Sequence, residues 1–137
     1  DQSQSSADNV DESGLYQGVP IGRPVCPNHV KGEAKKHWQY LAKQLEIAGL
    51  LSTLDQGTFA HLCLYYSKAR EAELKIQEDG GEFQETPNGY AQLSPASINF
   101  QRYSAMYNKL ADKFLLNPAV RQKVRIENPA QSTLDLS

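Results

Sequence analysis

The sequence predicts a mainly α-helical fold: a helical hairpin with a long second helix, a small β-ribbon, and one or two C-terminal helices. Three observations predict it. Apolar residues recur at helical period over three long windows. A helix stop and a helix start lie back to back in Gly49-Leu50-Leu51-Ser52-Thr53. The one clear hairpin signal is the dipeptide Asn88-Gly89.

The segment before the first helix, Gly18-Val-Pro-Ile-Gly-Arg-Pro-Val-Cys-Pro-Asn28, is rich in Pro and Gly and reads as an extended approach. The first helix is expected from about Lys31 to Ala48, with Ala34, Trp38, Leu41, Ala42, Leu45 and Ala48 forming one apolar stripe. Gly49 ends it as a left-handed cap. Leu50 and Leu51 are expected to tuck between helices, and Trp38 to anchor the packing. Thr53 and Gln56 have capping-box spacing, with Ser52 and Asp55 as a second register.

The second helix is expected from about Leu54 to Glu78 or Asp79, with Phe59, Leu62, Cys63, Tyr66, Ala69 and Leu74 on its buried side. Its charge-rich second half would project from the core or pack in an oligomer. Gly80-Gly81 ends it. Phe83 and Tyr90 flank the two-residue turn signal Asn88-Gly89 in a short ribbon whose regularity Pro87 limits. Ser94-Pro95 caps a third helix carrying Phe100, Tyr103, Tyr107, Leu110, Ala111 and Phe114 at helical spacing. Asn117-Pro118 repeats that signal for a short helix, about Ala119 to Val124.

The chain has 137 residues, 39% hydrophobic, with a formal net charge of -2. That length suits one domain of modest core. Polar, acidic composition marks residues 1–24 as a flexible tail and residues 126–137 as another, leaving a helical domain over 25–125. Basic charge is uneven. Arg23, Lys31, Lys35, Lys36 and Lys43 face only Glu33 and Glu46 in their segment; Arg102, Lys109, Lys113, Arg121, Lys123 and Arg125 face only Asp112. Two basic segments in an acidic background can contact phosphate, as they can form solvated helix faces.

No apolar run is long enough to span a membrane, and no secretory leader is visible. Cys26 and Cys63 are too few for a disulfide framework. Phosphate-loop, dinucleotide and nucleophile-elbow motifs are absent from the sequence. Cys26-x-x-His29 and His61-x-Cys63 resemble zinc half-sites, but a spacing of two on a helix turns the second pair apart. No metal and no cofactor are expected. A nuclease using His61 and acidic residues is the weakest of the functional readings. The helix–turn–helix unit would offer Asp55, Gln56, Thr58 and His61 to a major groove, with little positive charge.

The run Glu33-Ala34-Lys35-Lys36-His37-Trp38 to Leu45, followed by Gly49-Leu50-Leu51-Ser52-Thr53-Leu54-Asp55, resembles the phage terminase small subunit of the P27 family. The likeness continues through Tyr65-Tyr66, Ala69, Gly80-Gly81, Gly89, Ser94-Pro95 and Leu115-Leu116-Asn117-Pro118-Ala119-Val120-Arg121, roughly residues 27–125. Members often carry Gly shortly before the late Pro-x-x-Arg, where this chain has Phe114-Leu115-Leu116. The resemblance implies a non-enzymatic, ring-forming homo-oligomer in the host cytoplasm. It would bind double-stranded viral DNA and present it to the large terminase subunit, which carries the ATPase and nuclease. The alternative is an oligomeric scaffold that regulates the packaging motor without binding DNA. On charge, the expected phosphate contacts are Arg23, Lys31, Lys35 and Lys36, with Arg121, Lys123 and Arg125 as a second group. Tyr65, Tyr66, Phe100, Tyr103 and Tyr107 are the expected subunit interface.

Overall fold

The structure is a computed structural model in which residues 22–127 are described. Most of both expected tails lies outside those residues. In chain order come α1 (Gly32–Ile47), a 3₁₀ turn (Thr53–Asp55), α2 (Gln56–Glu78), β1 (Phe83–Glu85), β2 (Ala91–Leu93), α3 (Pro95–Lys113) and α4 (Pro118–Glu127). The last helix therefore runs three residues beyond the expected Val124 and covers two residues assigned from sequence to the tail.

Five of the six residues of the α1 stripe are buried, Ala34, Trp38, Leu41, Ala42 and Leu45; the sixth, Ala48, caps the helix and is exposed. Trp38 packs on Phe59 of α2 with ring centroids 4.6 Å apart, and Phe59 packs edge-on against Phe114 at 5.6 Å. This aromatic row ties three helices together, and Phe59 is fully buried at its middle. Val30 and Leu51 close the core from the segments flanking α1.

Helix α2 lies along α3. Phe59 meets Phe114, Tyr66 meets Tyr107 and Tyr65 meets Tyr103. Early in α2, His61 and Tyr65 share a groove with Met106, Lys109 and Lys113; later, Lys68, Ala72 and Lys75 share one with Ala96, Asn99 and Tyr103, so the two helices are antiparallel. The second half of α2 does not project alone: Ala69 and Ala72 are buried there. Their small side chains let α3 approach closely. Of the residues expected inside, Tyr66 is 36% exposed and Leu74 45%. Leu74 follows Ala69 by five residues, which turns it well off the α3-facing side.

Each long helix ends the same way. Leu50 N–H donates to the Leu45 carbonyl (2.8 Å) and Gly49 N–H to that of Glu46 (3.0 Å), with Gly49 at φ 73. Gly81 and Gly80 repeat the pattern on Ile76 and Gln77, and Leu116 and Leu115 on Ala111 and Asp112. These paired bonds satisfy the last carbonyls of each helix. In the turn after α1 the second capping register is the one adopted. Ser52 Oγ accepts from Leu54 N–H (3.2 Å), and Asp55 Oδ2 accepts from Ser52 N–H (2.8 Å). The 3₁₀ turn begins at Thr53, which makes Ser52 the cap in place of Thr53.

The ribbon is antiparallel, Phe83 opposite Leu93 and Glu85 opposite Ala91. Its turn differs from the two-residue form expected. Thr86 N–H donates to the Tyr90 carbonyl (2.7 Å) and Gly89 N–H to the Thr86 carbonyl (2.9 Å), so the loop is Pro87-Asn88-Gly89. Pro87 explains the change. Its fixed φ suits the first corner of an ordinary turn, leaving only Gly89 in the left-handed region, at φ 84. The ribbon is held at its base. Ser94 N–H and Ser97 Oγ both donate to the Glu82 carbonyl (2.9 and 2.8 Å), and Ser94 Oγ caps α3 by accepting from Ser97 N–H (3.1 Å).

Candidate nucleic-acid interface

The basic residues singled out from sequence are not gathered into one patch. Lys31 and Lys35 lie one turn apart at the start of α1, and both are exposed. Lys36 is beside them and bridges Glu33 at 3.4 Å. Arg23 is elsewhere: its guanidinium bridges Glu46 at 3.0 Å, near the other end of α1. At 1.5 Å of rise per residue, Glu46 lies about 22 Å along the helix from Lys31. On α4, Arg121 and Arg125 are one turn apart, while Lys123 points about 200° away from each. Arg121 Nη1 also donates to the Leu115 carbonyl at 2.7 Å.

The basic side chains of α2 are paired within the helix. Lys68 bridges Glu71, Arg70 bridges Glu73, and Lys75 bridges Glu78 and Asp79. Exposed pairs of this kind are worth little in stability, but they cancel local charge. A second set of cations was counted in the sequence yet not singled out. Arg102, Lys109 and Lys113 on α3 are exposed and make no ion pair with any described residue. Their spacing of seven and four was the available signal.

Two of the four side chains that a groove-reading α2 would present are already engaged. Gln56 Nε2 donates to the Val25 carbonyl at 2.6 Å, and Asp55 holds Ser52. The first turn of α2 is thus used to fasten the approach segment and the preceding turn.

The five aromatic residues expected at a subunit interface form two separate clusters. Tyr65 and Tyr103 pair at 6.2 Å. Tyr66 and Tyr107 pair at 5.8 Å together with His37 of α1. Phe100 lines a groove with Tyr66 and Tyr107, closed at one side by Arg70 and Glu73. The His37 ring stacks flat on Tyr66, centroids 3.9 Å apart and 4° from parallel. Its Nε2 lies 2.9 Å from the Tyr107 hydroxyl, a hydrogen bond in either tautomer. Burial pushes the His37 imidazole down to about 4 and the Tyr107 phenol up to about 12. His37 was not foreseen as a junction; it sits at the edge of the α1 stripe.

Cys63 is fully buried, and burial raises its thiol to about 12, which leaves it unreactive. Among the described residues no group of three or more His, Cys, Asp or Glu side chains could hold a metal ion. No described helix is long and apolar enough to cross a membrane.

No curated protein and no solved structure matches the chain. The family described as phage terminase, small subunit, matches residues 34–131, from the first turn of α1 through α4 and beyond it. The match takes in the three-helix core, the ribbon and the basic faces of α3 and α4. The family serves phage DNA packaging, and its small subunits are generally non-catalytic. A match of that extent shows that this chain belongs to the phage terminase small-subunit family.

Proposed function

We propose that the protein binds double-stranded viral DNA as a homo-oligomeric ring in the host cytoplasm and presents it to the large terminase subunit, without catalysis of its own. The observation that supports this reading is the uneven distribution of charge. The chain is net acidic, yet Lys31 and Lys35 on α1 and the cations of α3 make no ion pair with any described residue, while those of α2 are paired. Repetition around a ring multiplies a weak basic face, so a near-neutral subunit can still hold DNA. Tyr65, Tyr66, Phe100, Tyr103 and Tyr107 are the proposed contacts between copies, since they line open grooves along the α2–α3 pair. Membership of the P27 branch belongs to the same reading.

The test is duplex binding by the oligomeric full chain across a salt series, with native mass giving the copy number. Binding at low salt that falls linearly as log affinity against log salt supports the reading. Changing Lys31, Lys35 and Lys36 together to Ala is expected to weaken binding at least several-fold. Absence of binding at low salt by a ring of defined size would instead support the scaffold that regulates the motor.

A further inference from the structure

The outward side of α3 carries Arg102, Lys109 and Lys113. At about 100° per residue these three fall within about 40° of one another around the helix axis. Ala111, which is buried, lies about 180° from Arg102 and marks the opposite side. All three cations are exposed, and no carboxylate among the described residues pairs with them. Arg23 and Lys36, by contrast, each bridge a glutamate. Lys109 and Lys113 also rim a shallow groove shared with His61, Tyr65, Met106 and Leu110, and no acidic residue lines it; Tyr65, the one proposed copy contact in it, is half-buried, while both lysines stand exposed at its rim. The only acidic residue of α3, Asp112, is half-buried and turned about 60° away from Lys109.

We propose that this row on α3 is the principal phosphate-contacting surface of the protein, ahead of the lysines of α1. The proposal rests on the DNA-binding reading and names the surface that performs it. From Arg102 to Lys113 the row extends about 16 Å, more than the roughly 12 Å width of the major groove of B-DNA. It can therefore touch the phosphates of both strands bordering one groove. The platform is rigid, because α3 is packed along α2 and capped at both ends. The cations are thus held in register before DNA arrives, and less side-chain and backbone entropy is lost on binding. A protein partner fits less well: such interfaces rely on large aromatic or arginine anchors at a dry centre, and the exposed apolar side chains beside the row are only Ile98 and Met106, each about 40% exposed, with Tyr65 and Leu110 half-buried in the adjoining groove. A line of exposed cations that no described carboxylate pairs matches the repeating charge of a nucleic-acid backbone.

The experiment uses the full-length oligomer and a 30-base-pair duplex of arbitrary sequence, with fluorescence anisotropy at several salt concentrations. The triple variant Arg102→Gln, Lys109→Gln, Lys113→Gln is expected to bind at least ten-fold more weakly at low salt. Its log–log salt slope is expected to be shallower by about 2 or more, at about 0.9 per lost phosphate contact. The charge-keeping variant Arg102→Lys, Lys109→Arg, Lys113→Arg is expected to match the wild type. Lys31→Gln with Lys35→Gln is expected to lose less than the α3 variant. A triple variant of native mass and melting behaviour that keeps the wild-type slope overturns the assignment to α3 and leaves DNA binding intact. Failure of the wild-type oligomer to bind at low salt overturns both. If the triple variant does not fold, the double change Lys109→Gln, Lys113→Gln decides the matter by a smaller shift in the same direction.

Discussion

Three residues occupy the same backbone position at three helix ends, and one of them is a leucine. Gly49, Gly80 and Leu115 each take a left-handed conformation, at φ 73, 82 and 58, so that two N–H groups can turn back to the last carbonyls. Glycine does this freely; a residue with a Cβ loses roughly 1 kcal/mol or more. Leu115→Gly relieves that strain but gives up a half-buried side chain and adds freedom to the unfolded chain, opposing contributions of about 1 kcal/mol each, so it is expected to shift stability by less than about 1 kcal/mol. Gly49→Ala is expected to destabilise it by about 1 kcal/mol. A Cβ at Gly49 would meet nothing within 4 Å, so that loss is one of backbone conformation alone. Urea unfolding with an unchanged slope and a shifted midpoint checks both. Gly49 was legible in the sequence because glycine after an apolar stripe has few other meanings. Leu115 was not, since Phe114-Leu115-Leu116 reads as more helix, and only the bonds to Ala111 and Asp112 reveal the stop.

At the scale of elements, three helices meet in one polar–aromatic contact. His37 of α1 stacks on Tyr66 of α2 and shares a hydrogen bond with Tyr107 of α3. Folded His37 has its pKa lowered to about 4, against an ordinary value of 6.5. The unfolded chain therefore takes up a proton first as the pH falls. Stability from this group is fully present above about 6.5, declines as pH drops, and is lost once the folded imidazole titrates near 4. The full span is at most about 3 kcal/mol at 1.36 kcal/mol per pH unit. Measured stability of the wild type is expected to fall between pH 7 and 4 more steeply than that of His37→Phe, which keeps the stack without the titration. Parallel pH profiles of the two would count against this account. Periodicity made each of the three helices visible, because each carries its own apolar stripe. It could not say that the edges of those stripes converge, which depends on the antiparallel register of α2 and α3. The same limit hid the exposure of Leu74, whereas Pro87 was legible as a break in the ribbon's regularity and only the three-residue loop it sets was not.

For the whole molecule, charge and stability reside in different places. The sequence displays every cation but not its partners or its distance from the others. It therefore grouped Arg23 with Lys31, although Arg23 is tied to Glu46. It also passed over the row on α3, whose value comes from the absence of nearby carboxylates. Helix α4 makes the separation testable. None of its residues is fully buried; Asn117 Oδ1 caps its start by accepting from Ala119 N–H at 2.8 Å, and Arg121 donates back to the Leu115 carbonyl at 2.7 Å. The core itself lies upstream, around Trp38, Phe59 and Phe114. Ending the chain after Asn117 is accordingly expected to lower unfolding stability by only about 1 kcal/mol, against roughly 3–5 kcal/mol for Phe59→Ala. The same truncation removes Arg121, Lys123 and Arg125. If these contact phosphates, the salt slope of DNA binding becomes shallower while the melting temperature falls by only about 3–6 °C. If the α3 row carries the contacts, the slope of the truncated protein stays near that of the full chain. A large loss of stability on truncation would show that α4 belongs to the core and would refute the separation.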